Sequence, residues 1–197
     1  MELRLPTEQQ LRRVYERDLK MSFPAAELRP LPVICTLTRG GTYRPWCLFD
    51  GEEIVGEAFV LGFAPGWALF DYLCVDASRR NDGLGSKLIA KLLEAERGNV
   101  VFGESEIPDY APDPDMARRR LRFYRRNGAQ QAAYDTAVFG VPYHTLFWAE
   151  RAVTDGELMA AHQKAYHDRF PPSAYRRFIQ IPWDISMGVP KKIPWEE

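Results

Sequence analysis

The sequence predicts an α/β fold, built from strands and amphipathic helices, on three observations. Two apolar segments, 46–49 and 54–61, flank an Asp-Gly turn, which is typical of a β-hairpin. A mostly apolar third segment, 67–75, indicates a strand covered on both faces. Leucine and isoleucine residues at helical spacing over 84–93 then predict an amphipathic helix. The chain has 197 residues, a length that fits one domain with its own core.

Composition excludes several classes of protein. The chain has 26 basic and 27 acidic side chains, so it lacks the basic excess of a dedicated nucleic-acid binder. Its 46% of hydrophobic residues excludes a disordered chain. No apolar run reaches the ~18 residues that span a bilayer, and the first residues lack a signal-peptide pattern. Three cysteines without Cys-x-x-Cys spacing indicate neither a disulfide framework nor a zinc site. We therefore expect a cytoplasmic protein with no metal, no nucleic-acid partner and no membrane partner.

The first elements can be predicted in order. Residues 3–5 predict a short strand, and Thr7-x-x-Gln10 is a capping box that opens a helix ending near Met21. Residues 23–30 predict a connector with one further helical turn. The hairpin and the third strand described above follow.

The remaining elements lie beyond the helix at 84–93, which Gly98 closes. A short buried strand is expected at 100–102 and a helix at 115–126 that stops at Asn-Gly, followed by strands at 129–139 and 145–150. Thr154-x-x-Glu157 is a second capping box, for a helix reaching about Asp168. The last segment, 171–197, contains several prolines together with Trp183 and Trp195, and we expect it to pack on the domain as an extended tail.

The most informative stretch is the polar loop between the third strand and the helix at 84–93. Gly83 and Gly85 allow backbone N–H groups to turn inward, and the helix N-terminus adds its positive dipole end, which suits a pyrophosphate. The alternative is a strand–helix turn without a ligand. A P-loop is excluded because Lys87 follows Ser86 instead of preceding it, and a dinucleotide fingerprint because Leu88 stands where its third glycine belongs.

The remaining pattern, Arg80-x-x-Gly83-x-Gly85, resembles the acyl-CoA pyrophosphate loop of the GNAT superfamily of N-acyltransferases. Downstream, Phe123-Tyr124-x-x-x-Gly128 is similar to that family's aromatic-Tyr-x-x-x-Gly signature. The two motifs cover roughly residues 67–150, in the family's order. The resemblance implies a mixed, mostly antiparallel central sheet flanked by helices, in a domain over residues 1–170.

The resemblance also implies a reaction, the transfer of an acetyl group from acetyl-CoA, the co-substrate, to a primary amine of a small molecule or peptide. Backbone groups of Leu73, Cys74 and Val75 would line the pantetheine arm, and the amide of Val75 would face the thioester carbonyl. The pyrophosphate would be held by backbone N–H groups of Arg80, Asn81, Asp82, Gly83, Leu84, Gly85 and Ser86.

Two catalytic residues follow from the same resemblance. Tyr124 is the expected general acid for the leaving thiolate, with simple helix packing as the alternative. Glu104, directly after the predicted strand at 100–102, is the expected general base. Glu57, Asp71 and Glu106 are competitors, each of which is otherwise a solvated charge, and a water chain without a single base is a further alternative.

Two charged clusters leave alternatives open. The acids over 104–115 would attract a cationic amine, or form a solvated loop whose last members cap the next helix; they are Glu104, Glu106, Asp109, Asp113 and Asp115. The arginines over 118–126 would meet the coenzyme A 3′-phosphate or an acidic partner, or form a solvated face; they are Arg118, Arg119, Arg120, Arg122, Arg125 and Arg126.

Two other functions compete with acetyl transfer. A non-catalytic acyl-CoA-binding or sensor protein would keep the glycine loop without the chemistry. An interaction module would use the arginine helix and the tail, and a tail docking on a second copy would give a homodimer. The three histidines show no metal-ligand spacing with a third ligand.

Overall fold

The computed structural model describes residues 1–190, which form two compact units, one over 1–99 and one from Val100 onward. Each unit contains four strands and its own helices. Trp195 and Pro194, which belong to the predicted tail, lie outside the described residues.

Four strands of the first unit make an antiparallel array. In spatial order they are β1 (Glu2–Arg4), β2 (Tyr43–Asp50), β3 (Glu53–Ala64) and β4 (Trp67–Val75). Gly51 has a φ of +62° in the β2–β3 turn, a conformation that glycine adopts without steric cost. The predicted hairpin is thus present, and β4 has the predicted bounds.

The helices of the first unit surround these strands. They are α1 (Glu8–Val14), a π-helical segment (Tyr15–Leu19), α2 (Lys20–Ser22), α3 (Leu31–Arg39) and α4 (Leu84–Ala95). The capping box at Thr7 is formed, and the connector contains a single 3₁₀ turn, as predicted. Helix α3 was not predicted from the sequence.

Helix α4 packs against the strands at Gly56. A Cβ atom there would lie 3.2 Å from the carbonyl oxygen of Cys74 and 3.4 Å from Cδ2 of Leu88, so the missing side chain lets the helix approach. Leu88, Ile89 and Leu92 are buried on this face. The packing fixes the position of the helix N-terminus at the end of β4.

The second unit repeats the pattern of antiparallel strands with helices. In spatial order its strands are β5 (Val100–Glu106), β7 (Val141–Trp148), β6 (Gln130–Val138) and β8 (Ile179–Trp183). Its helices are α5 (Pro114–Arg126), α6 (Asp155–His167) and α7 (Pro172–Phe178). The capping box at Thr154 is formed at the start of α6, as predicted.

Two predictions about this unit were wrong. Strand β5 runs four residues beyond the predicted end at 102, so Glu104 lies within the strand instead of after it. The tail is not extended throughout, because α7 and β8 form there and β8 pairs with β6, with Ala137 opposite Gln180. The ladder with β6 satisfies backbone groups that an isolated extended tail would leave to water.

The predicted fold class is confirmed: the chain has a mixed α/β architecture with mostly antiparallel strands flanked by helices. Within residues 1–190, no helix is both long and apolar enough to cross a membrane.

Candidate functional site

The glycine turn leads into α4 with an open helix N-terminus. Gly83 is the N-cap residue in the left-handed conformation, with φ at +73°, and within residues 1–190 no side chain caps the helix. The first backbone N–H groups of a helix have no intrahelical acceptor, so those of Leu84, Gly85 and Ser86 remain for another partner. A Cβ on Gly83 would meet nothing within 4 Å, so there is room for a side chain at this position. Glycine is favoured there because of its left-handed backbone conformation.

The loop before this turn is ordered by its own side chains. Asp76 accepts hydrogen bonds from the backbone N–H and the hydroxyl of Ser78, which shapes a 3₁₀ turn over Ala77–Arg79. Arg79 is paired with Asp50 at 2.8 Å. Arg80 is exposed and makes no ion pair with any described residue. Its guanidinium is therefore available to bind an anion at the turn.

The end of β4 offers backbone groups, not a reactive side chain. Cys74 is buried, and its thiol donates a hydrogen bond to Oε1 of Glu57 at 2.5 Å. Burial raises the pKa of the Cys74 thiol far above its ordinary value, which keeps it protonated and unreactive. Leu73 and Val75 flank it with partly exposed side chains.

The three competing carboxylates have partners. Glu57 is 1% exposed, and burial raises its pKa to about 8. Asp71 accepts hydrogen bonds from a guanidinium N–H of Arg29 at 3.0 Å and from the hydroxyl of Tyr43 at 2.8 Å. Glu106 is paired with Arg120 at 2.6 Å. Glu57 and Asp71 are therefore not solvated charges, whereas Glu106 is part of a partly exposed ion pair.

Tyr124 lies half-buried on α5. Its ring meets the ring of Trp148 edge to face, with centroids 5.9 Å apart, and contacts Phe123 at 5.4 Å. Burial raises the pKa of its phenol, partly opposed by the positive charge of Arg120, so the hydroxyl is protonated at neutral pH. The ring therefore packs in the unit and carries a proton that it can donate.

Glu104 lies in a cluster of polar side chains that the sequence did not predict. Its Oε1 is 3.0 Å from Nε2 of His162, and its Oε2 accepts a hydrogen bond from the Tyr166 hydroxyl at 2.8 Å. His162 is completely buried, whereas the Glu104 side chain is 15% exposed. Tyr134 completes the cluster, with its hydroxyl 3.4 Å from Nδ1 of His162.

The acidic loop caps the helix that follows it. Asp113 accepts a hydrogen bond from the backbone N–H of Met116 at 2.9 Å, and Pro114 occupies the first turn, as the capping interpretation predicts. Several arginines of α5 are engaged locally: Arg118 pairs with Asp115, and Arg125 donates to Gln131. Among residues 1–190, no group of three or more His, Cys, Asp or Glu side chains could hold a metal ion.

The comparison with protein families identifies this arrangement. Residues 41–128 match the model of the acetyltransferase (GNAT) domain. The match covers just under half of the chain, and this segment is similar to the GNAT domain. The matched segment contains both predicted GNAT motifs, from the glycine turn to Gly128.

Individual proteins are also similar to this chain. The Bacillus subtilis (strain 168) protein named "Putative acetyltransferase YjbC" is 28% identical over 122 residues, which are 57% of this chain. The chain spans 62% of the length of that relative. A GNAT-family structure from Bacteroides thetaiotaomicron superposes with a TM-score of 0.69 at 20% identity, over 85% of this chain and 98% of the other.

A structure solved with ligands is also similar. Spermidine N-acetyltransferase from Vibrio cholerae, in complex with CoA and spermine, has a TM-score of 0.57 at 10% identity. The alignment covers 75% of this chain and 94% of the other. At these identities the two structural similarities establish the shared fold.

Proposed function

We propose that this protein transfers an acetyl group from acetyl-CoA to a primary amine. The observation that carries the proposal is the uncapped N-terminus of α4 behind Gly83, inside the segment that matches the GNAT domain. A helix N-terminus with unpaired N–H groups and a positive dipole end suits a pyrophosphate. The exposed Arg80 adds a positive charge at the same turn.

The donor is held mainly by backbone groups. The N–H groups from Arg80 to Ser86 bind the pyrophosphate, and the backbone of Leu73, Cys74 and Val75 lines the pantetheine arm. The buried, protonated thiol of Cys74 supports this division, because it leaves the strand end without a nucleophile that would attack the thioester. The amide of Val75 donates to the developing oxyanion, as a preorganised donor should.

Two side chains move the protons. Glu104 accepts a proton from the ammonium form of the acceptor, which leaves a nucleophilic amine. The amine nitrogen then forms a bond to the thioester carbon, and the carbon–sulfur bond breaks. Tyr124 gives its phenolic proton to the departing sulfur, and a second proton leaves the new amide nitrogen for solvent. Tyr124 regains its proton from solvent and Glu104 releases its proton to solvent, so both residues return to their starting states and each turnover releases one net proton.

The acceptor class is a cationic amine on a small molecule or peptide. The spermine in the Vibrio cholerae relative's structure supports a polyamine as the first candidate to test. Glu104 supports a cationic acceptor too, because its carboxylate is partly exposed in the second unit.

The test is a panel of amines with acetyl-CoA, read out by release of the free thiol. The panel includes spermidine, an aminoglycoside, a peptide with a free N-terminus and a lysine-containing peptide. Acetylation of at least one amine well above the rate of acetyl-CoA hydrolysis is the expected result. If calorimetry shows coenzyme A binding but no amine is acetylated, the sensor function replaces this proposal.

A further inference from the structure

We propose that His162 is a positioning residue that holds Glu104 as the proton acceptor of the reaction. The inference rests on the proposed function, in which Glu104 is the base. His162 itself is completely buried and so does not touch the substrate, whereas Glu104 is 15% exposed. His162 therefore fixes the geometry of Glu104, and Glu104 contacts the amine.

The hydrogen bonds around the imidazole decide its tautomer. The oxygens of an ionised carboxylate only accept hydrogen bonds, so Nε2 of His162 carries a hydrogen and donates it to Oε1 of Glu104 at 3.0 Å. In the neutral ring Nδ1 then carries no hydrogen. Nδ1 therefore accepts a hydrogen bond from the Tyr134 hydroxyl, 3.4 Å away.

Glu104 is held from two sides. The Tyr166 hydroxyl donates to Oε2 at 2.8 Å, so each carboxylate oxygen receives one hydrogen bond from a buried side chain. Both donors stabilise the ionised carboxylate and fix its rotamer, and each oxygen keeps a lone pair for the amine proton. A base must lie within hydrogen-bond reach of the proton that it takes, so a fixed rotamer is a catalytic advantage.

The imidazole is itself immobilised by aromatic rings. Phe102 of β5 meets it edge to face with centroids 5.0 Å apart, and the ring of Tyr166 lies 5.7 Å away. Because Phe102 and Glu104 are two residues apart on one strand, they point to the same face of the sheet. The sheet face that carries Glu104 therefore also contacts His162, through Phe102.

The kinetic experiment compares three variants on the best amine of the panel. His162→Leu removes both ring nitrogens, and we expect kcat to fall roughly 10²-fold, the effect of a misplaced reacting group, with KM for acetyl-CoA unchanged. His162→Gln keeps an N–H donor at the reach of Nε2, and we expect it to recover most of the lost kcat. His167→Leu is the matched control, because His167 is on the same helix but is exposed and stacks on Tyr175.

A second measurement does not depend on activity. ¹⁵N NMR of the wild-type imidazole is expected to show the hydrogen of His162 on Nε2. A hydrogen on Nδ1, or wild-type kcat in a folded His162→Leu variant, would overturn the positioning role. If His162→Leu does not fold, the test of the positioning role rests on kcat of His162→Gln and on the tautomer of His162 in the wild-type protein. If the wild-type protein acetylates no amine, the proposed function fails and the catalytic part of the inference fails with it, whatever the tautomer.

Discussion

The two units of the molecule differ in what they offer to a reaction. The first unit presents main-chain groups, at the end of β4 and at the uncapped start of α4, while its buried acids are occupied by other side chains. The second unit presents side chains that hold protons, Tyr124 and the Glu104 cluster. The proposed function thus assigns binding to backbone groups of the first unit and chemistry to side chains of the second.

Two carboxylates make this contrast sharpest. Glu57 in β3 and Glu104 in β5 both lie inside strands. Glu57 is 1% exposed, and among residues 1–190 its side-chain hydrogen-bond donor is the weak thiol of Cys74. Glu104 is partly exposed and meets an imidazole N–H and a phenol. Burial without strong donors favours the neutral acid, which explains the raised pKa of Glu57. The partners of a carboxylate, more than its place in a strand, decide what it can do.

The largest effect is expected for Tyr124→Phe. The ring keeps its contact with Trp148, so the fold and coenzyme A binding persist, while kcat falls by roughly 10²–10⁴ because the general acid is lost. Since burial raises the pKa of this phenol, the high-pH limb of the wild-type rate profile should lie above the ordinary tyrosine range and vanish in the variant. Steady-state kinetics across pH measure both.

The control for this variant is Tyr110→Phe, since Tyr110 is an exposed tyrosine of the same unit, in contact with Trp183. It should leave kcat unchanged. Equal kcat in wild type and Tyr124→Phe would show that Tyr124 only packs against its neighbours. The second unit would then supply no general acid through this residue.

Glu57→Gln should change stability and leave the chemistry alone. The pKa of Glu57 is about 8 in the folded protein against a reference of 4.5, so between these values the folded state holds a proton that the unfolded state has released. The wild-type free energy of unfolding therefore falls by up to ~1.4 kcal/mol per pH unit as pH rises through this window. The amide cannot ionise, so the variant should lack this slope.

Urea denaturation from pH 5 to pH 8 measures the difference between the two proteins. The gap should widen with rising pH in favour of Glu57→Gln, while kcat stays at the wild-type value. Glu52→Gln, at an exposed residue of the neighbouring turn, is the control and should follow the wild-type curve. Parallel curves for wild type and Glu57→Gln would mean that Glu57 is ionised in the folded state.

The smallest effect is expected for Gly85→Val, which places a branched side chain beside the amides at the start of α4. Coenzyme A binding should weaken by about tenfold or more, a loss of ~1.4 kcal/mol, measured by calorimetry. Gly156→Val is the matched control, because a Cβ at that helical glycine would meet nothing within 4 Å. Unchanged binding in a folded Gly85→Val variant would show that the pyrophosphate does not use this turn.

Local patterns in the sequence were enough to predict β4, both capping boxes and the glycine turn. Helix α3 was missed because Val33, Ile34 and Thr36 have low intrinsic helix propensity, and burial of Ile34 and Cys35 overrides that preference. The contact between His162 and Glu104 was missed because 58 residues separate them, and no local spacing indicates a contact at that distance along the chain. Polar contacts between residues far apart in the sequence can be identified only once the fold is known.

The side-chain amide of Gln163 donates a hydrogen bond to the carbonyl oxygen of Ile181 at 2.7 Å, which ties α6 to β8. The neighbour of Gln163 on that helix is His162, so the last described strand helps to hold the partner of Glu104. Both residues lie beyond the segment that matches the GNAT domain, which ends at residue 128. A chain truncated to the segment that matches the GNAT domain would therefore keep Glu104 but lose the imidazole that contacts it.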